Sequence, residues 1–206
     1  MEISDHLVRF LVTERLESAR TAARRRALVT SAGDAPVIRL ARADDNAPIA
    51  AIWNREVVGT IATTDTEPRA PAAQAAWLAA HTEEYPVVVA AVGTEVIAFG
   101  CLSPYRAKPS YRFTVEDSVY VKERHRGSGL GSHILGELLA HARARGHRSV
   151  IARVTAENAP SLSLHRRHGF QRAGYECQVA FKLGRWLDVV TLQLLLSAQA
   201  TSTILP

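Results

Sequence analysis

Apolar positions recur at helical spacing at Ile3, Leu7, Phe10, Leu11 and Leu16, which predicts an amphipathic helix within residues 1–30 that runs into the basic cluster Arg24, Arg25 and Arg26. Residues 31–36 are small or turn-forming and read as a linker, so a domain boundary is expected at residue 36. Beyond it, 37–40 reads as a strand. Asp44 or Asp45 can cap a helix to about residue 58 with Ile49, Ile52 and Trp53 facing inward, and a second helix follows Pro71. Between them 60–69 is a polar loop of the kind that carries substrate contacts on a rigid scaffold. The apolar runs 86–92 and 95–102 are strands joined by Gly93-Thr94, a two-residue hairpin with Gly first, as a type II′ turn requires.

The second half changes period. Residues 114–121 form a strand, 132–145 a helix ended by Gly146, and 149–155 a further strand, a β-loop-helix-β unit long enough for a parallel crossover. A short helix over 160–168 has Pro in its first turn and Gly169 past its end. Two closing strands, 172–182 and 186–196, flank Gly184-Arg185, and 197–206 reads as a loose tail. The expected organisation is a helical extension and linker (1–36), an α/β (α+β) domain with a mixed central sheet flanked by helices (37–196), and the tail.

Composition narrows the class of protein. With 47% hydrophobic and 22% charged residues in 206, the chain suits a globular domain, and no apolar run approaches the roughly 18 residues that span a bilayer. No membrane partner is expected. Acidic Glu2, Asp5, Glu14 and Glu17 argue against a targeting peptide, so the expected location is cytoplasmic. Cys101 and Cys177 are too few for a zinc set or a disulfide framework. The net charge of +5 is unevenly spread: residues 37–100 sum to −4 and 101–196 to +8. The basic half suits a polyanionic ligand, and without an aromatic-basic interleave no nucleic-acid partner is expected.

That half contains Arg124-His125-Arg126-Gly127-Ser128-Gly129-Leu130-Gly131, set between a β-type run and a helical one. Small residues there let backbone N–H groups approach an anion, and the following helix adds the positive end of its dipole. A P-loop would need Gly-Lys-Ser/Thr, and a dinucleotide fingerprint Gly-x-Gly-x-x-Gly with a later acidic residue; neither is present. Arg126, Gly129 and Gly131 fit Arg/Gln-x-x-Gly-x-Gly/Ala, which resembles the acyl-CoA pyrophosphate loop of the GNAT superfamily of N-acetyltransferases. Four further runs resemble its phosphinothricin and methionine-sulfoximine acetyltransferase branch: Asp65-Thr66-Glu67-Pro68, the stretch from Tyr111 to Val121 (YRFTVEDSVYV), Asn158-Ala159-Pro160-Ser161, and Gly184-Arg185-Trp186-x-Asp188-Val189.

The resemblance implies a GNAT fold and acetyl transfer from acetyl-CoA to the amino group of a small amino-acid-like acceptor, without a metal and in a homodimer. It places acetyl-CoA against Arg126, Gly127, Ser128, Gly129, Leu130, Gly131 and Ser132, with the pantetheine arm along Val119, Tyr120 and Val121 where the fourth strand splays at a bulge, and with Asn158 in contact. Asn158 is equally placed to cap the helix that follows it. An amine is protonated at neutral pH, so a base is needed. Period-2 alternation puts Glu116 and Asp117 on opposite strand faces, so one carboxylate should face the acceptor, and the resemblance favours Glu116. A backbone N–H from Val121 can meet the charge that develops on the thioester oxygen. His165 stands where many GNAT enzymes carry tyrosine, and orients or protonates the departing sulfur. Tyr111 and Arg112 offer an aromatic wall and a carboxylate clamp, with Arg69 and Arg106 as competing clamps. The tryptophans Trp53, Trp77 and Trp186 are expected as core or interface anchors. An acetyltransferase acting on protein N-termini or lysines, and a non-catalytic acyl-CoA-binding regulator, are the competing functions.

Overall fold

The computed structural model describes residues 35–196; the expected N-terminal helix and the tail lie outside the described residues. Seven strands form one mixed sheet in the order β1-β2-β3-β4-β5-β7-β6. They are β1 (Val37–Leu40), β2 (Val87–Val92), β3 (Glu95–Pro104), β4 (Thr114–Val121), β5 (Ser149–Thr155), β6 (Gln171–Lys182) and β7 (Arg185–Leu195). All neighbours are antiparallel except β4 and β5, which the helix α3 (Leu130–Ala144) connects as a parallel crossover. The other helices are α1 (Asn46–Gly59), α2 (Pro71–Ala80) and α4 (Ala159–Arg167).

Period-2 alternation divides the core between the two sheet faces. On one face Ile134, Leu135 and Leu138 of α3 pack on Ala98, Leu102, Val115 and Val150. On the other, Ile49, Ile52, Trp53 and Val57 of α1 cover Val87, Val89, Phe99 and Cys101, with Trp77 and Leu78 of α2 alongside. The inward face expected for α1 is therefore buried. Its expected cap is not formed: the Arg39 guanidinium takes both carboxylate oxygens of Asp45, at 2.6 and 2.9 Å, and the Arg42 amide donates to the same group at 2.7 Å.

The two hairpins differ in their turns. Gly93 takes φ 56° and Thr94 stays out of the left-handed region, as a type II′ turn needs, with Val92 paired to Glu95. The second turn is Leu183-Gly184, one residue earlier than expected, because both residues take positive φ (51° and 76°) and Lys182 pairs with Arg185. That is type I′ geometry, which matches the twist of the flanking strands.

Helix α3 begins at Leu130, two residues before the sequence expectation, because Gly129 at φ 91° turns the chain so that its carbonyl accepts the Ser132 and His133 amides. The helix lies close against β3 at Gly100. A Cβ there would sit 2.6 Å from Ile134 Cγ2 and 2.9 Å from both Leu138 Cδ1 and the Ser118 carbonyl oxygen.

The backbone oxygen cannot step aside as a side chain can. Gly100→Val is therefore expected to cost about 1–3 kcal/mol of overpacking strain, read from urea unfolding, and unchanged stability would show that both α3 and the β4 backbone at Ser118 yield without penalty.

Candidate active site

Pairing between β4 and β5 covers only Thr114↔Ser149, Val115↔Val150 and Glu116↔Ile151, after which the strands part. The expected splay is present, but β4 keeps an unbroken register with β3 from Val115 to Val121, so no bulge in that pairing accompanies it. Lys122 donates its amide to Ile97 of β3 at 2.9 Å. By backbone alternation the N–H groups of Val121 and Val119 point the other way, toward the side that β5 has left. Between the parted strands lies a cleft of about 840 Å³, walled by β4, the 126–132 loop, β5 and α4.

The loop residues expected to hold phosphate come together there. Arg126, Gly127, Gly129, Leu130, Gly131 and Ser132 line the cleft, with Gly127 and Gly129 at φ 76° and 91°. Beyond its chain neighbours, no atom of the described residues lies within 4 Å of a Cβ built on Gly129. The Leu130 and Gly131 amides, in the first turn of α3, donate to no backbone carbonyl among the described residues, as helix N-termini require unless another acceptor comes. Ser128 does not line the cleft; its hydroxyl donates to the His125 carbonyl at 2.6 Å and shapes the turn. Ser132 is hydrogen-bonded through Oγ to His168 Nε2 at 2.7 Å. Asn158 both lines the cleft and caps α4, its Oδ1 accepting the Ser161 amide at 3.2 Å. Val119 and Val121 lie in the wall, as does Tyr120, whose ring stacks on Phe99 and meets Trp53 edge-on. Burial pushes the Tyr120 hydroxyl pKa upward.

The two adjacent carboxylates separate as alternation demands. Asp117 shares the α3 face with Val115, is 4% exposed, and lines the cleft. Glu116 points to the α1 and α2 face, is half-buried, and sits at the last paired position before the split, outside the lining of this cleft. Burial raises the Glu116 pKa against the opposing pull of Arg153. On the same face Arg69 lies between two indoles, its guanidinium carbon 4.1 Å from the Trp53 ring centre and 4.3 Å from that of Trp77. Asn54 grips the Arg69 backbone from both sides, Nδ2 to its carbonyl and Oδ1 to its amide. Its Nη1 donates to the neutral Gln74 Oε1 at 3.3 Å, no acidic side chain among the described residues bonds it, and burial lowers its pKa. Trp53 and Trp77 are thus walls for a cation as well as core anchors.

Tyr111 and Arg112 do not join this group. They lie at a 3-10 turn, Pro109–Tyr111, where Tyr111 meets Tyr105 edge-on and exposed Arg112 stacks on Phe113 and bonds the Pro109 carbonyl. Arg106 packs on the same two tyrosines.

His165 is buried, with both ring nitrogens engaged: Nδ1 with the Ser161 carbonyl at 2.8 Å and Nε2 with Asp117 Oδ2 at 3.0 Å. Burial alone would lower its pKa, yet the Asp117 carboxylate outweighs it and raises the pKa. The other oxygen, Asp117 Oδ1, has no hydrogen-bond partner among the described residues. Forty-eight residues separate the pair in the chain, so no local spacing pointed to it.

Residues 62–170 match the Acetyltransferase (GNAT) family. The chain belongs to that family. It is 40% identical over 76% of its length to 92% of the L-methionine sulfoximine/L-methionine sulfone acetyltransferase of Pseudomonas paraeruginosa. It is 35% identical over 71% of its length to 88% of the phosphinothricin N-acetyltransferase of Streptomyces coelicolor. Among solved structures, a GNAT phosphinothricin acetyltransferase from Sinorhizobium meliloti in complex with acetyl-CoA superposes with a TM-score of 0.76 at 35% identity, over 80% of this chain and 90% of that one. The protein is a GNAT N-acetyltransferase that uses acetyl-CoA.

The His165 pKa has a consequence for stability in this GNAT enzyme. Because the folded value lies above the ordinary one of about 6.5, its contribution is fully present below that pH and is lost as pH rises through the folded value. The difference in unfolding free energy between wild type and His165→Gln is expected to shrink on raising the pH from about 5.5. A difference that stays constant or grows would remove the charged imidazole from the folded state.

Proposed function

We propose that this enzyme acetylates the α-amino group of a small amino-acid-like acceptor of the phosphinothricin or methionine sulfoximine and sulfone class, as a cytoplasmic homodimer. The observation that carries the acceptor class is Arg69, a half-buried cation without an acidic partner among the described residues, held between Trp53 and Trp77 on the face that Glu116 also presents. A guanidinium in that setting suits the carboxylate of an amino acid, and the indoles give its side chain an apolar wall. Arg69 takes this role in preference to Arg112, which is exposed on a turn. The named activities of the Pseudomonas and Streptomyces relatives support the same class.

Bound acetyl-CoA supplies an acyl thioester. Glu116 takes a proton from the acceptor ammonium, directly or through one water; burial has raised its pKa toward the range where a carboxylate is an effective base near neutrality. The Val121 N–H donates to the acyl oxygen as charge gathers there. The freed amine attacks the acyl carbon, the C–S bond breaks, and His165, paired with Asp117 beside the cleft, gives a proton to the departing sulfur and regains one, directly or through solvent, from the nitrogen as the amide forms. Phosphate oxygens rest on the amides of the 126–131 loop.

The free thiols Cys101 and Cys177 suit a reducing compartment. Support for the dimer comes from the β6–β7 hairpin, where Phe181 and Trp186 are 56% and 58% exposed and pack edge-on beside exposed Val179 and Leu183. Light scattering of the full chain is expected to give twice 22.5 kDa, and Trp186→Glu to give the monomer.

A panel of amines assayed for acetyl-CoA-dependent thiol release tests the acceptor class: amino acids of the stated type should be turned over and N-terminal peptides should not. Glu116→Gln should lose about 100- to 10,000-fold in kcat, far more than Asp117→Asn. Arg69→Ala should raise the acceptor KM with acetyl-CoA affinity retained. A normal acceptor KM in the Arg69 variant would move the clamp elsewhere.

A further inference from the structure

One side chain of α1 touches both loops that frame the site. Glu56 is 2% exposed. Its Oε1 accepts a hydrogen bond from Arg126 Nη2, the first residue of the glycine-loop motif, and its Oε2 accepts one from Thr60 Oγ1 at 2.8 Å, the first residue of the 60–69 loop. The Glu56 carbonyl accepts the Thr60 amide at 3.2 Å and is approached by Lys182 Nζ at 3.3 Å, which donates to Thr63 on the same loop at 2.7 Å. Arg126 is fixed a second time, through Nε to the Val121 carbonyl at 3.0 Å. Its Nη1 makes no hydrogen bond among the described residues, and its side chain is 47% exposed along the cleft. Arg126 is therefore half committed to protein and half open to a ligand.

We infer that Glu56 is a positioning residue that yokes the acetyl-CoA loop to the acceptor loop. A carboxylate is planar and rigid, and its two oxygens are divided here, one to each loop. A shift of Arg126 toward phosphate must therefore move or release the contact that holds Thr60, and a shift of Thr60 must act back on Arg126. Binding energy coupled in this way is reciprocal: CoA in the cleft tightens acceptor binding by the factor by which acceptor tightens CoA. Glu56 lies in the cleft wall with both oxygens already engaged by Arg126 and Thr60, so its effect falls on the binding of the two substrates and not on bond formation. The inference rests on the reading of residues 126–131 as the phosphate cradle.

The test uses the full chain and CoA itself, whose free thiol permits binding without turnover. Calorimetry of methionine sulfone binding with and without CoA gives the coupling factor, expected at about fivefold or more in wild type, within the range usual for linked sites. In Glu56→Gln and in Thr60→Val the factor should fall toward one, and the double variant should show no further loss, as for two members of one chain of contacts. Acetylation by Glu56→Gln should show a raised acceptor KM with kcat nearly kept; a purely structural role would lower the melting temperature and leave the coupling factor alone. A wild-type factor in Glu56→Gln, or additive losses in the double variant, would overturn the inference. Gly129→Val separates the premise, since a folded Gly129→Val protein with undiminished acetyl-CoA affinity would overturn the cradle reading itself, whereas impaired binding there beside intact coupling in Glu56→Gln would overturn the yoke alone.

Discussion

The active centre depends on where β4 and β5 stop pairing. Up to Glu116 they are ordinary parallel neighbours; beyond it β4 stays bonded to β3 while β5 continues with β7 as its partner. Each strand keeps one full ladder, so the sheet holds together while one edge of β4 is left with free amides. Buried N–H groups are costly without acceptors, so the split is stable only where solvent or a ligand can reach it. The same divergence sets the N-terminus of α3 at one end of the cleft, because α3 is the crossover between the two diverging strands. Unpaired backbone donors along β4 and at the start of α3 thus follow from a single interruption of pairing.

Charge is arranged around that interruption with unusual economy. Glu116 stands at its apex on one face and Asp117 begins the opened edge on the other. The first is raised in pKa by burial; the second is held against a histidine whose positive form it favours. Arg69 carries its charge between aromatic faces, where cation–π contact offsets part of the lost hydration. Asp117 Oδ1 has no hydrogen-bond partner among the described residues, and the Arg69 guanidinium is bonded only to the neutral Gln74 and to no acidic side chain among them. Buried Glu56 has its two oxygens divided between the two loops, whereas buried Asp45 gives both of its oxygens to Arg39.

Much of this was legible in the residues. Apolar runs at 86–92 and 95–102 around Gly93-Thr94 identified two strands, and a period of two, a local property of extended backbone, put Glu116 and Asp117 on opposite faces. Gly93 and Gly129 marked turns that only positive φ permits. Helix boundaries were less legible: Asp45 was expected as a cap, but an arginine six positions earlier claimed its carboxylate. Arg112 was read as a clamp from its place before the catalytic strand, yet a 3-10 turn carries it to the surface.

The sequence by itself determined the element order, the glycine loop and the family, since these rest on periodicity and short motifs that neighbouring residues enforce. Only the tertiary structure decided which side chains share a site. Arg69 meets Trp53 and Trp77 because α1 and α2 pack side by side on one sheet face, and His165 meets Asp117 because α4 folds back on the parted strand. Glu56 reaches Arg126 across 70 residues for the same reason. Contacts between distant positions depend on how whole elements pack, and no local pattern of residues encodes that.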